Sequence, residues 1–347
     1  MNRIEPSLKA TLRRTSSITL LCTLYTKSLN VNARNQMAKV LVTGGAGFVG
    51  VPVTLLVAKS HDVLVIDTFR YQQETSTAIE SVASLARVDV RDYGALLEVF
   101  MSFRPEVVLH LAAIHFIPEC NKHPVLAADI NITGTENVLR AAEESCSVKR
   151  VIVTSSAAVY PISNEALSDE SSPDPTDIYG TTKAVNESQA KRFTERSGIA
   201  SVSVRLFNVF GPGETSPHVI PEIIKQLGSG SNAIQLGNLD PKRSYIHVND
   251  VAAAFSALVT ARLPADSLCL NIGHEEEASV QDIIDVIART THRRLEVIQD
   301  PGRVRKSDRM HLRCDCSRAR KFLGWSPTYS LEEGLRELLA SAKLIPQ

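Results

Sequence analysis

The sequence predicts a doubly wound α/β fold, a mostly parallel sheet covered by helices on both faces. Three observations predict it. Short apolar runs that read as strands alternate with helical stretches from Lys39 onward. A glycine turn separates the first strand from the first helix, and an acid closes the second strand. Beyond Gly211 the pattern loosens into shorter helices and Gly/Pro/Ser-rich loops, which predicts a smaller α/β lobe on the C-terminal side.

Each element follows from its residues. Lys39–Thr43 is a β-branched and leucine run that leads through glycines into an amphipathic stretch ending near Ser60. Asp62–Ile66 is the second strand and ends against Asp67. Val88–Val90, Val107–Leu111, Arg150–Thr154 and Val202–Phe207 are the third to sixth. Nearly all their residues are apolar, as strands buried on both faces require. Helical patterns fill the gaps, notably Ala127–Ser145 and Thr182–Ser197, and Leu331–Leu344 closes the chain. There is no internal repeat and no low-complexity linker.

Composition bounds the function. A chain of 347 residues with 44% apolar and 22% charged residues can build one large unit or two lobes on a shared core. Lys plus Arg equals Asp plus Glu at 38 each, which argues against a nucleic-acid-binding surface. No apolar run approaches the roughly 18 residues of a membrane span. The six cysteines form no CxxC pair, which gives neither a disulfide framework nor a metal site and points to a reducing, cytoplasmic compartment. Residues 1–36 are basic, with Arg3, Lys9, Arg13, Arg14, Lys27 and Arg34 against Glu5. They read as sequence upstream of a start at Met37, as a disordered tail or as an address signal.

Two motifs carry chemistry. In Thr43-Gly44-Gly45-Ala46-Gly47-Phe48-Val49-Gly50, Gly44 allows a tight turn, Gly47 lets a pyrophosphate approach the backbone, and Gly50 permits close helix–strand packing. The phosphates of a dinucleotide would face the free N–H groups at a helix N-terminus. Asp67, at the end of the second strand, suits the adenosine ribose hydroxyls and repels a 2′-phosphate, which favours NAD. Arg70 close by keeps NADP open. The second motif is Tyr179-Gly180-Thr181-Thr182-Lys183, which puts a phenol and an ammonium on one helix face. Tyrosine, with a pKa of about 10, is a weak base at neutral pH unless a nearby cation favours its phenolate. Ser156 lies upstream in Ser155–Tyr160, at the end of the fifth strand, where open α/β sheets place ligands. There it can hold a substrate hydroxyl while Tyr179 takes the proton.

With these motifs in place the sequence resembles the NAD-dependent nucleotide-sugar epimerase/dehydratase family of extended short-chain dehydrogenases/reductases, and within it the UDP-glucose 4-epimerases. The resemblance spans Met37 to Leu339. It rests on the glycine turn, Asp89-Val90-Arg91-Asp92, His110-Leu111-Ala112-Ala113, Asn131–Thr135, Ser155–Tyr160, Tyr179 with Lys183, Arg205–Pro212, Arg243–Val251 and Leu323–Pro327. It implies a Rossmann NAD-binding domain over 37–212, rejoined by 245–274, and a substrate-binding lobe from 213–244 and 275–347. It implies Ser156, Tyr179 and Lys183 as catalytic residues. For the cofactor it implies Gly44, Gly47, Phe48, Val49, Gly50 and Asp67, then Asp89 and Val90 at the adenine. Leu111, Ala112 and Ala113 would line the pyrophosphate and nicotinamide ribose, with Tyr179 and Lys183 beside them and Phe207 at the nicotinamide. Asn208 and Arg243 would contact the diphosphate of a nucleotide-sugar substrate. A homodimer through the helices containing Ala95–Phe103 and Thr182–Ser197 is implied as well.

Departures from the family pattern bear on the reaction. The usual Arg-Pro-Gly-Asp is missing, and Arg305 with Asp308 best takes its place in substrate binding, Arg303 competing. His115 either reaches the substrate or is a packed histidine, and Cys314 and Cys316 are incidental. A 4,6-dehydratase needs an acid and a base directly after the catalytic Ser, and a decarboxylase commonly an acid at the second position. Here these positions are Ala157 and Ala158, which transfer no protons. Epimerisation at C4 needs neither, so it is the expected activity. An NDP-sugar 4,6-dehydratase, another NAD-dependent sugar-nucleotide oxidoreductase and a dinucleotide-binding protein without turnover are the other readings.

Overall fold

The structure, a computed structural model, describes residues 37–70, 76–303 and 309–346, so residues 1–36, Arg305 and Asp308 lie outside the described residues. Its strands, in chain order, are β1 (Lys39–Thr43), β2 (Asp62–Asp67), β3 (Ser84–Arg87), β4 (Val107–His110), β5 (Arg150–Ser156) and β6 (Ala200–Leu206), followed by β7 (Asn208–Phe210), β8 (Ala233–Leu236), β9 (Lys242–His247), β10 (Ser267–Ile272), β11 (Glu277–Ser279) and β12 (Glu296–Gln299). The main sheet has the order β10-β6-β5-β4-β1-β2-β3 with every pair parallel. The order reverses at β1, so the crevice at the C-terminal ends of β1 and β4 is the topological switch point where such sheets bind ligands.

Period-2 alternation explains the two-sided burial. Val40 and Val42 pack into one core with Val53 and Val57 of the Gly50–Val57 helix and Phe255 and Leu258 of the Val248–Thr260 helix. Leu41 points the other way, to Leu96 and Phe100 of the Tyr93–Phe103 helix, Val138 and Leu139 of the Gly134–Glu144 helix, and Phe193 of the Ile178–Ser197 helix. A third core gathers Phe210, Ile220, Ile223, Ile234, Ile283, Ile287, Leu335 and Leu339 around two small sheets, β11-β9-β7 and β12-β8.

Three sequence expectations shift. The third strand is Ser84–Arg87 rather than Val88–Val90, because this half-exposed edge strand carries small and polar residues and the apolar pair lies in the loop after it. The ladder ends as Val88 N–H donates to the Asp67 carbonyl at 3.1 Å. The helix expected over 127–145 begins at Pro124 and contains a π-helical turn over Asp129–Thr133. Leu312, Cys314, Cys316, Ala319 and Trp325, expected in the smaller lobe, instead join the core on one face of the main sheet. There the Trp325 indole donates to the Asp250 carbonyl at 3.0 Å, and the Asp250 carboxylate accepts from Thr328 N, Thr328 Oγ1 and Tyr329 N at 2.7–3.0 Å.

A buried ion pair ties the Ile178–Ser197 helix to the sheet. Arg205 of β6 donates through Nε and a terminal nitrogen to both Glu187 oxygens at 2.8 Å, and Ser155 of β5 donates to the same carboxylate at 2.6 Å. The side chains are 4% and 12% exposed, so truncating either one strands the other charge. Glu187→Ala or Arg205→Met should each cost about 3–5 kcal/mol in urea unfolding, whereas the Glu187→Met/Arg205→Met double variant should cost less than either. Additive losses would show that the pair is not coupled.

Candidate active site

The glycine turn leaves β1 at Thr43. Gly44 has φ +69°, and a Cβ there would lie 2.7 Å from the Ala112 nitrogen. At Gly50 a Cβ would lie 2.2 Å from the Gly44 carbonyl oxygen, so the helix start is pressed against the turn. Gly47 differs, for its Cβ would meet only the Gly44 oxygen, at 3.2 Å. Two glycines are thus demanded by the protein's own packing, while Gly47 leaves room above the turn. The following Gly50–Val57 helix has no side-chain cap at Val49, and Val51 N–H turns back to the Gly47 carbonyl at 2.9 Å. Phe48 and Val49 complete the turn. Asp67 sits across the mouth, where its carboxylate accepts Ala46 N–H at 3.1 Å and Phe69 N–H at 2.9 Å.

Asp89 and Val90 border the same crevice from the loop after β3. The Asp89 carboxylate accepts from the Arg91 guanidinium, which holds it below the usual carboxylate range, and Arg91 also pairs with Asp129 at 3.2 Å. Val90 is buried against Gly134, and Asn137 donates to its carbonyl at 3.1 Å.

Beneath the crevice the hydrogen bonds fix one tautomer of His110. Thr135 Oγ1 donates to the Asn131 carbonyl at 2.6 Å, so it accepts from His110 Nε2 at 2.9 Å. Nδ1 is then the acceptor for Thr43 Oγ1 at 2.7 Å, and that hydroxyl accepts Ala112 N–H at 3.2 Å. Burial, reinforced by the Lys183 charge, pushes His110 down to about 3, so the ring is neutral throughout the working pH range. The network holds Leu111, Ala112 and Ala113 against the glycine turn.

Ser156 ends β5 and caps the short 3₁₀ turn Ala157–Val159, accepting Ala158 N–H at 3.1 Å. Tyr179 and Lys183 lie one turn apart at the start of the Ile178–Ser197 helix, capped by Asp177, whose carboxylate accepts Gly180 N–H at 2.8 Å. Lys183 is buried, donates to the Thr154 carbonyl at 2.8 Å and lies 5.8 Å from the Tyr179 ring centroid. Burial lowers it to about 8. It raises the Tyr179 phenol above its ordinary value, and a hydrogen bond with Ser156 pulls the other way. The expectation that the lysine charge governs the phenol therefore gives way to burial as the leading effect. Ser156, Tyr179 and Lys183 come together; Phe207, buried against Tyr160, borders them at the end of β6.

The residues expected at the substrate come from several elements, with Asn208 and Arg243 on the paired strands β7 and β9. Asn208 is exposed at the start of β7, and Arg243 on β9 donates to the Lys242 carbonyl at 2.9 Å and to the Arg309 carbonyl. Arg303, the alternative phosphate arginine, is engaged by Glu222 at 3.1 Å and Asp300 at 3.3 Å. His115 bonds Ser216 Oγ through Nε2 at 3.1 Å, and its ring meets His218 edge-on. His218 Nδ1 pairs with Glu214, whose carboxyl is raised by burial.

The sequence assigns no role to four groups found here. Asn131, in the π-helical turn, bonds both backbone groups of Ile114 and donates to Thr182 Oγ1 at 3.0 Å, bracing the catalytic helix. Cys120 packs in a small apolar cluster with Tyr179. Glu214 with His218, and Arg309 beside Ala157, are the others. Only the π-helical position has a sequence signal, an asparagine inside an otherwise helical run.

The family model described as "NAD dependent epimerase/dehydratase family" matches residues 40–273. The chain belongs to this family. A putative UDP-glucose 4-epimerase of Methanocaldococcus jannaschii is 31% identical over 86% of this chain and 97% of that protein. A GDP-6-deoxy-D-mannose reductase of Pseudomonas aeruginosa is 26% identical over 87% and 96%. Among solved structures, the UDP-glucose 4-epimerase of Thermus thermophilus in complex with NAD superposes with a TM-score of 0.78 at 26% identity, covering 88% of this chain and 99% of that one. This chain is thus an NAD-dependent enzyme of the family, and the space over Gly47 with Asp67 at its mouth fits the dinucleotide.

The glycine geometry separates ligand from fold. Gly47→Ala should keep its thermal midpoint but lose NAD affinity by about tenfold or more. Gly50→Ala should lose about 1–3 kcal/mol of stability as well. Calorimetric NAD titration beside thermal unfolding checks both, and a Gly47→Ala protein with normal NAD affinity would move the phosphates elsewhere.

Proposed function

We propose that this enzyme is a nucleotide-sugar 4-epimerase. The observation that supports this reading best is the Ser156–Tyr179–Lys183 constellation, flanked by Ala157 and Ala158, which carry no proton-transferring group. Oxidation at C4 requires the hydroxyl proton to leave oxygen as hydride leaves carbon, and NAD, when bound, would supply the acceptor for that hydride and its source for the return. Ser156 Oγ holds the C4 hydroxyl, and Tyr179 takes its proton and later gives one back. Lys183, anchored on Thr154, orients the cofactor ribose and places a positive charge near the phenol. The glycine turn with Phe48, Val49, Asp67, Asp89, Val90, Leu111, Ala112 and Ala113 holds the dinucleotide. Asn208, Arg243 and His115 are assigned to the nucleotide sugar, as are Arg305 and Asp308, which lie outside the described residues.

The smaller lobe, 213–244 with 275–347 apart from the Leu312–Trp325 stretch packed on the main sheet, is the substrate side in this reading. A cytoplasmic homodimer also belongs to it; no helix among the described residues is long and apolar enough to cross a membrane. The face proposed for dimerisation carries the Tyr93–Phe103 and Ile178–Ser197 helices. The Gly134–Glu144 helix packs between them through Arg140 on Tyr93 and through Glu136 and Glu143 on Arg196.

Incubation with UDP-glucose, UDP-N-acetylglucosamine and UDP-glucuronate, without added reductant, should give a product of unchanged mass inverted at C4 by NMR. Loss of water would instead establish a dehydratase, and a strict requirement for external NADPH would establish a reductase. Tyr179→Phe should retain NAD while turnover falls by at least about 10²–10⁴-fold. Near-normal turnover in that variant would remove the basis of the assignment.

A further inference from the structure

Arg309 is half-buried beside the catalytic turn, and its charge has no part in the cofactor site or the proton relay. Its backbone lies with Arg243, whose guanidinium bonds the Arg309 carbonyl. The side chain runs to the other end of the site. One terminal nitrogen donates to the Ala157 carbonyl at 3.4 Å, and the other to Thr176 Oγ1 at 3.3 Å. Ala157 directly follows Ser156, and Thr176 stands three residues before Tyr179. The guanidinium is thereby held at the edge of the pair assigned to the C4 hydroxyl.

These two contacts leave most of its binding capacity unused. A guanidinium presents five N–H donors in a planar fork, and both bonds are long. Among the described residues no carboxylate lies within ion-pair distance of Arg309, whereas Arg91, Arg205, Arg303, Arg313, Arg318 and Arg320 each have one. Burial lowers its pKa, Asp177 opposes that at longer range, and the Arg243 charge adds to it. A half-buried cation so placed gains most from an anion that completes its fork.

The nature of that anion follows from position. The diphosphate leaves the sugar at C1, across the ring from C4. An anion beside C4 must be a substituent of C3 or C5, and the exocyclic carbon on C5 becomes a planar carboxylate when oxidised. A carboxylate matches an arginine fork in shape and charge. We propose that Arg309 pairs with the C6 carboxylate of the sugar, so that the substrate is a nucleotide-activated hexuronate. This rests on the C4-epimerase reading of the same site.

Binding separates the two ideas, because it does not require turnover. The Tyr179→Phe protein carrying NAD is titrated calorimetrically with the glucuronate and glucose esters of UDP and of GDP. The glucuronate ester should bind about tenfold tighter or more than the glucose ester of the same nucleotide. Adding Arg309→Met should reduce that preference by about tenfold or more, and Arg309→Lys, which keeps the charge but not the fork, should reduce it less. Thermal unfolding checks that each variant folds, and if Arg309→Met does not, the lysine variant must still show the reduced preference. An unchanged preference, an equal loss for both sugars as a diphosphate contact would give, or no binding of either glucuronate ester would overturn the proposal. If the uronate binds through Arg309 but the parent enzyme does not epimerise it, the pairing is supported and the epimerase reading is overturned.

Discussion

The site depends on a salt bridge it does not contain. Glu187 stands one helical turn beyond Lys183, and its carboxylate is shared by Arg205 on β6 and Ser155 on β5. Ser155 immediately precedes Ser156, so one buried anion sets both the end of the strand that offers the serine and the helix that offers Tyr179 and Lys183. Arg205 also lies over the Tyr160 ring, 4.6 Å from the guanidinium carbon to its centroid, and donates to the Ser171 carbonyl at 3.0 Å. Isolated, such a pair would add little to stability, because desolvation of both charges offsets their attraction. Its value lies in geometry, since a bidentate fork fixes distance and angle together.

A second polar network performs the same office for the cofactor side. His110, Thr43, Thr135 and Asn131 form a chain in which every donor has one acceptor, so the imidazole has one tautomer and no charge. Apolar packing alone would hold β1 against β4 without deciding where the Ala112 amide points. The two networks meet at Asn131, which reaches the catalytic helix through Thr182, while Asn186 on that helix donates back to the Asn131 carbonyl at 2.7 Å. The π-helical turn allows this by displacing Asn131 from ordinary α-helical spacing.

What the sequence made legible follows from how local each cause is. β1 falls at Lys39–Thr43 as expected, because a buried parallel strand is a short apolar run whatever its neighbours are. β3 was misplaced because an edge strand is specified by pairing with β2, which Ser84–Arg87 does not advertise. Ser156, Tyr179 and Lys183 were readable from spacing along a strand end and one helix face. The burial that dominates the Tyr179 phenol was not, since Ile114, Cys120 and Ala127 come from distant segments. Arg309 was unreadable for the same reason, its role depending on the carbonyl of Ala157, 152 residues away.

The path of the chain around Asp250 has a consequence for how the molecule comes apart. After β6 the chain enters the third core at Phe210, returns to the main sheet for the Val248–Thr260 helix and β10, and leaves again for Val280–Thr291. It returns once more through Leu312–Trp325, is fastened to Asp250, and ends in the third core with Leu335–Leu339. Each core is therefore assembled from stretches of chain that are far apart in sequence. No single cut in the connecting loops would leave the two cores whole on separate fragments.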